Sequence, residues 1–466
     1  MLLFQQYYLQ CLSHASYLVG DTDSGRAVVI DPQRDVHQYI EDAAANGLRI
    51  ERVIETHFHA DFLSGHLELA ARTGAVISYG EAARPEYDIA PLADGQRLSL
   101  GDVTLEARAT PGHTPESISV VVFEHADDEV PYGVCTGDTL FIGDVGRPDL
   151  LSSAGVSADE LAAQLYRSLH QQLLTLPDST RVFPAHGAGS ACGKSLSTET
   201  SSTIGEQRRT NYALAPMSEE EFVHAVTEGQ SIAPLYFAFS AGRNKQRHDL
   251  LGEESAPAAL SLDDVLQLQQ DGATVLDTRD PADFAQGHLR GSVNVGLHGR
   301  FAEYAGDVIA PDAAIVLVGL PGTGLEAKVR LARIGFDRVV GELADPVHAF
   351  LARPELVDAA SRLTVQQFAT RREEVDVTLL DVRNPGETRL GLITGARSVP
   401  LATLLENTGT LPRVTPVVVY CAGGYRSSIA ASVLRAQGFA DVSDLLGGFD
   451  AWSQAGYPIG KGGGPA

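Results

Sequence analysis

The apolar positions of this chain change period several times, and each change marks an element. Tyr17-Leu18-Val19-Gly20 and Ala27-Val28-Val29-Ile30-Asp31 are strand-like runs either side of a polar turn at residues 21–25, and predict a strand pair. Residues 37–45 read as a helix, and Arg52-Val53-Ile54 begins another strand. Residues 103–109 and 117–123 are strand-like again. Over residues 159–174 the period lengthens, with Leu161, Leu165, Leu169 and Leu173 on one helical stripe. Strands and helices alternating through residues 1–216 predict a layered α/β domain.

A connector, 217–258, follows. It opens with Ser218-Glu219-Glu220-Glu221-Phe222, where Ser218 is a candidate N-cap of an acidic helix, and ends in a stretch rich in Glu, Ala and Pro. Beyond it the sequence repeats. Val275-Leu276-Asp277-Thr278-Arg279 matches Leu379-Leu380-Asp381-Val382-Arg383, and Arg333-Ile334-Gly335-Phe336 matches Ala436-Gln437-Gly438-Phe439. The copies divide the remainder into domains 259–358 and 359–466, each expected to be a parallel sheet covered by helices on both faces.

Composition narrows the function. A chain of 466 residues with 44% hydrophobic content has room for about three domains with real cores. A formal charge of −25 argues against a nucleic-acid partner, which would need phosphate-neutralising cations. The four cysteines, Cys11, Cys135, Cys192 and Cys421, form no Cys-x-x-Cys pair, so a disulfide framework is not expected. The start, Met1-Leu2-Leu3-Phe4, reads as domain strand and not as a signal peptide, and no apolar run approaches the roughly 20 residues of a membrane span. The expected setting is reducing and cytoplasmic, without a membrane partner. A homo-oligomer is compatible with all of this.

Two constellations carry chemistry. Val417-Val418-Val419-Tyr420 delivers Cys421 into a tight loop, Ala422-Gly423-Gly424-Tyr425, ahead of a helix starting near Arg426. A thiol at a helix N-terminus beside a guanidinium is favoured as thiolate, or as a carrier of a second, anionic sulfur. Far upstream, His57, His59 and Asp61 lie within five residues. Packing does not explain them, because each buried polar group would need a partner, whereas one cation serves all. His113, Asp138 and His186 each end an apolar stretch near glycine, as ligands on loops at a sheet edge would.

The Cys421 loop resembles that of rhodaneses, which pass sulfane sulfur through a cysteine persulfide. The His and Asp motifs, in their order, resemble the metallo-β-lactamase fold. That resemblance implies an αββα sandwich, followed here by two rhodanese-like parallel α/β domains. The superfamily's first motif usually ends in a histidine of a two-metal site, and here that position is Phe62. Together with Gly146-Arg147-Pro148-Asp149-Leu150, a mononuclear site and the fused rhodanese copies, the chain resembles the multidomain persulfide dioxygenase–sulfurtransferases. The resemblance implies one Fe(II) per chain on His57, His113 and Asp138, a facial set with open positions. It leaves His59, Asp61, His186 and Arg147 to orient ligands or substrate.

Alternatives stay open at several residues. Asp61 and His186 alone are a possible second metal site. Arg147 is suited to a substrate carboxylate or to an ion pair with Asp144 or Asp149. Cys192, near Lys194 in a glycine-rich loop, is either a sulfur acceptor with a lowered pKa or an ordinary loop cysteine. Cys11 and Cys135 are expected in the core. The first rhodanese copy has Val318 at the position of Cys421 and no arginine at that of Arg426, so it is expected to be degenerate. The implied partners are a low-molecular-weight thiol persulfide, O₂ and sulfite, with thiosulfate as product. The competing readings are a glyoxalase II-type thioester hydrolase holding Zn, and a sulfur-responsive sensor using Cys421.

Overall fold

The computed structural model describes residues 1–152 and 155–460. The chain divides into two compact units, the first of residues 1–233, 237–251 and 333–335, the second of 234–236, 252–332 and 336–466.

In the first unit, Leu2–Leu9, His14–Asp21, Arg26–Ile30, Arg49–Ile54 and Val76–Ser78 lie side by side in that order. The first three strands are antiparallel and the last three parallel. A second sheet orders Ser202–Thr203, Arg181–Pro184, Gly133–Gly137, Ile118–Phe123, Thr104–Ala109 and Arg97–Ser99.

The alternation of side chains sets the layers. Tyr17 and Val19 face Leu105, Val120, Val122 and Cys135 of the second sheet in one core. Leu18, between them in sequence, turns the other way and packs with Tyr39, Ala43 and Leu69 of the helices His37–Ala45 and His66–Thr73. Val121 and Val134 meet Leu165, Leu169 and Leu173 on the far side. Two sheets between two helical layers make the expected αββα sandwich. The leucine stripe holds, although its second half, Leu169–Leu173, is π-helical beyond the α-helix Ala158–Ser168.

The second unit contains the same sheet twice. Parallel strands Thr274–Asp277, Ile315–Val318 and Val339–Leu343 in one copy correspond to Thr378–Asp381, Val417–Tyr420 and Val442–Leu445 in the other. The spatial orders of the two sheets are equivalent. The repeated Asp-x-Arg is the same buried knot both times. Arg279 Nη2 bonds Asp277 at 2.6 Å and Gly287 O at 2.9 Å, while Arg383 Nη2 bonds Asp381 at 2.7 Å and Gly391 O at 2.7 Å. Among the described residues no helix is long and apolar enough to cross a membrane.

Candidate functional sites

His57 and Thr56 follow the strand Arg49–Ile54. Asp31, just past Arg26–Ile30, accepts from Thr56 N at 2.7 Å and from Thr56 Oγ1 at 2.9 Å. With its proton committed to Asp31, the Thr56 hydroxyl is left to accept from His57 Nδ1, 3.0 Å away. His113 Nδ1 donates to Arg147 O at 2.8 Å, and His186 Nδ1 to Ser13 O at 3.1 Å. In all three rings the network therefore places the proton on Nδ1 and leaves the Nε2 lone pair free, the tautomer a metal ligand needs.

The free atoms converge. Ligand atoms of His57, His113 and Asp138 lie within 4.8 Å of one another. Asp138 Oδ2 is 3.4 Å from His113 Nε2 and 3.9 Å from His57 Nε2. Asp138 Oδ1 instead faces His186 Nε2 at 3.4 Å, and that nitrogen is 3.3 Å from Asp61 Oδ2. His57 Nε2, His186 Nε2 and both Asp138 oxygens are buried without a hydrogen-bond partner, which is costly unless a cation is held there. The residues thus fit a metal ion. Burial, then the neighbouring His59 and His113, hold the His57 pKa well below its ordinary value, so the ring is neutral, the form that can bind a cation.

Around His59 and Phe62 lie residues that the sequence had not singled out, among them Ser13, His14, Asp31 and Asn244. His59 Nε2 sits 3.1 Å from Asp31 and 3.4 Å from Glu55. Burial opposes its charge, but the two carboxylates outweigh it and raise the ring's pKa well above the ordinary value. Phe62 is buried, its ring 4.0 Å from that of His14 and 4.3 Å from that of His59. His14 is fully buried as well. Ser13 and Asp31 both adopt positive φ, 51° and 50°, and each holds a ring of the site. Such strain collects where side chains must be aimed. Asn244, from the segment read as connector, donates to His59 O and Phe62 O, both at 2.8 Å, and accepts from Ser64 N at 2.9 Å. No local pattern announces it.

Cys192 joins Asp138 and His186 within the same 4.8 Å. Its loop differs from the sequence reading. Asp144 Oδ2 receives Lys194 N at 2.6 Å and Ser195 N at 2.8 Å, so the loop is pinned and not mobile. Lys194 Nζ donates to Ala225 O at 2.6 Å and to Glu228 O, and cannot serve the thiol. Burial, then Asp61 and Asp138, push the Cys192 pKa well up, against the expected lowering. Arg147 binds Asp149 through two bonds of 2.7 and 2.8 Å, and donates to Ala191 O at 3.1 Å and Ser231 O at 2.8 Å. Its N–H meets Cys192 O at 3.0 Å, so its backbone ties the loop to His113. Cys135 is core, whereas Cys11 is only half-buried.

In the second unit Cys421 ends the strand Val417–Tyr420 and is buried. Gly424, at φ 110°, turns its N–H onto Cys421 Sγ at 3.1 Å, and Ser427 Oγ is 3.6 Å from the sulfur. The helix Tyr425–Ala436 starts there. Arg426 grips Glu387 with two bonds of 2.7 Å. Ala422 and Gly423 complete the loop. Gly448 passes so close to Cys421 O and Ala422 O that no Cβ would fit. In the degenerate copy the Glu342 carboxylate lies against Gly324, at the start of the equivalent helix.

Comparison with known proteins agrees with this geometry. Residues 9–186 match the metallo-beta-lactamase superfamily, and residues 261–351 and 364–455 match the rhodanese-like domain. The mitochondrial persulfide dioxygenase ETHE1 of Bos taurus is 32% identical over 237 residues, 49% of this chain and 82% of that protein. Its Homo sapiens counterpart is 33% identical over 230 residues, 48% of this chain and 79% of that one. A crystal structure of a metallo-beta-lactamase from Staphylococcus aureus subsp. aureus COL superposes with a TM-score of 0.66 at 32% identity, covering 73% of this chain and 98% of that one.

Proposed function

We propose, from the premise that this chain belongs to the persulfide dioxygenases of the metallo-β-lactamase superfamily and carries two rhodanese-like domains, that it oxidises a thiol persulfide and traps the product as thiosulfate. The observation that carries the reading is the set His57, His113 and Asp138, with Phe62 where a further imidazole would complete a second centre. The substrate is a low-molecular-weight thiol persulfide. Persulfide, O₂ and water give thiol, sulfite and two protons.

His57, His113 and Asp138 would hold a single Fe(II), which would supply the redox chemistry with O₂. The chain's own residues set the stage. Thr56 and the Arg147 carbonyl fix the ring tautomers. His186 Nε2 and Asp61 Oδ2, 3.3 Å apart, line the site beside Asp138. Cys192 lies within reach of Asp138 and His186, and Arg147 keeps its loop at the site.

Cys421 carries the second sulfur. Its thiolate attacks the outer sulfur of a donor persulfide, the donor's S–S bond breaks and its thiolate leaves. The sulfite lone pair then attacks the outer sulfur on Cys421, that S–S bond breaks, and thiosulfate departs with the thiolate restored. Gly424 N–H and the helix N-terminus face the anionic sulfur. Holding both reactions in one chain raises the effective concentration of sulfite at Cys421.

The test is O₂ uptake by anaerobically Fe(II)-loaded protein given glutathione persulfide, with sulfite and thiosulfate quantified. Uptake yielding thiosulfate, and sulfite in Cys421→Ser, supports the coupled reaction. Absence of uptake with several persulfides, and zinc in the purified protein, would replace it with thioester hydrolysis.

A further inference from the structure

Tyr425, the last residue of the Cys421 loop, sends its side chain out of its own domain. Its hydroxyl lies 2.7 Å from Gly296 O and 3.0 Å from His298 O, in the segment after the strand Val293–Asn294 of the degenerate copy. Gly296 and Gly299 flank the ring, where a Cβ on either would make ordinary van der Waals contact at 3.8 Å. Tyr304, also of the degenerate copy, meets it edge-on at 5.3 Å and 84°. The receiving segment is itself braced, because Arg330 donates to Leu297 O and, at 2.5 Å, to Gly299 O. Farther along the helix Tyr425–Ala436, Ser432 Oγ accepts from Asn294 N at 2.9 Å.

Within its own domain the Cys421 loop is held by its carbonyls, Cys421 O by Phe449 N at 2.7 Å, Ala422 O by Asp450 N at 3.1 Å and Gly424 O by Ser428 N at 3.2 Å, while the turn at Gly423 stands open. A Cβ on Gly423 would meet nothing within 4 Å, and Gly424 occupies a φ of 110° that glycine leaves readily. The N–H that faces Cys421 Sγ belongs to Gly424, the residue before Tyr425. Whatever fixes Tyr425 therefore fixes that donor.

We infer that the degenerate rhodanese copy is a positioning domain: residues 296–299 clamp the Tyr425 hydroxyl and so hold Gly424 N–H on the sulfur of Cys421. Tyr425 is a positioning residue, acting through its neighbour. The copy that lost its thiol serves the one that kept it. This rests on the reading of Cys421 as the sulfur carrier.

The experiment compares full-length wild type with Tyr425→Phe, which keeps the ring and removes the hydroxyl, and with Tyr304→Leu in the other copy. Thiosulfate is the sulfur donor, loading Cys421 and releasing sulfite, and cyanide is the acceptor, leaving as thiocyanate. Tyr425→Phe is expected to lower kcat for thiocyanate formation about tenfold, the cost of about one buried hydrogen bond. The KM for thiosulfate should stay within about twofold, because the clamp touches no substrate. Deuterium exchange at Gly424 N–H should rise while O₂ uptake on glutathione persulfide is unchanged. Tyr304→Leu should lower kcat in the same direction by about threefold. Wild-type kcat in both variants, or a loss shared equally by O₂ uptake, would overturn the inference. A wild-type chain that forms no thiocyanate would instead remove the reading of Cys421 beneath it.

Discussion

Replacing Phe62 with histidine should convert a site for one ion into a site for two. The phenyl ring is 1% exposed, packed on His14 and His59. Full burial of a Phe side chain contributes about 1.5–3 kcal/mol, and an imidazole of smaller apolar area forfeits roughly half. A buried ring nitrogen without a partner costs a further ~1–3 kcal/mol. In chelator, Phe62→His should therefore destabilise the first unit by about 2–4 kcal/mol. Asp61, Asp138 and His186 already face the same point, at 3.3 and 3.4 Å. A second divalent ion supplied at 100 to 1,000 times its Kd would return about 2.7–4.1 kcal/mol, nearly cancelling the loss. The assay is urea unfolding followed by far-UV circular dichroism, with and without metal, alongside elemental analysis. Trp452, the sole tryptophan, lies in the second unit, so fluorescence separates that unit's transition. One ion per chain in the variant, with the same stability loss in metal as in chelator, would refute the reasoning. Two ions in wild type would refute it as well.

Other outcomes follow from single contacts. Asn244→Ala leaves three buried backbone groups at residues 59, 62 and 64 without their partner, and should cost the first unit about 3–6 kcal/mol in urea unfolding; less than about 1 kcal/mol would show water taking its place. Burial holds the His288 pKa at about 4, although Nδ1 donates to Phe284 O. The folded ring is neutral, so its stability contribution is full above pH 6.5 and is lost as pH falls toward 4, by about 3 kcal/mol at most. His288→Gln should flatten that acid slope in Trp452 fluorescence; an unchanged slope would exclude His288 as its source. Arg426→Lys loses one arm of the grip on Glu387 and should slow thiosulfate-to-cyanide transfer about tenfold with O₂ uptake intact, and undiminished transfer would show the fork to be dispensable.

What the sequence made legible was local. The strands leading to His57 and Cys421, the helix of residues 37–45 and the Ser218 cap with Glu221 all rest on neighbours in sequence, and stand where the pattern put them. His57, His59, Asp61, His113, Asp138 and His186 stood out as polar side chains at the ends of apolar runs, and the family resemblance picked His57, His113 and Asp138 from among them. Contacts that join distant residues left no such trace. Asn244 lies some 180 positions from the loop it holds, and Tyr425 nearly 130 from Gly296. Lys194 misled for the same reason, since nearness in sequence to Cys192 says nothing of where its amine points.

The reach of Asn244 also bears on how the protein is made. Residues 1–216 contain every candidate metal ligand among the described residues, yet His59 O, Phe62 O and Ser64 N lack their partner until residue 244 has been added, and Leu63 N waits for Arg333 O. Synthesis at roughly 5–20 residues per second leaves that loop incomplete for a few seconds after its own domain has been translated, longer while the segment clears the ribosome. Completion of the loop is then timed by the segments that follow the domain. A nascent chain stalled near residue 216 would display the ligands on an unfinished loop, which is complete only once residues 333–335 have joined the first unit.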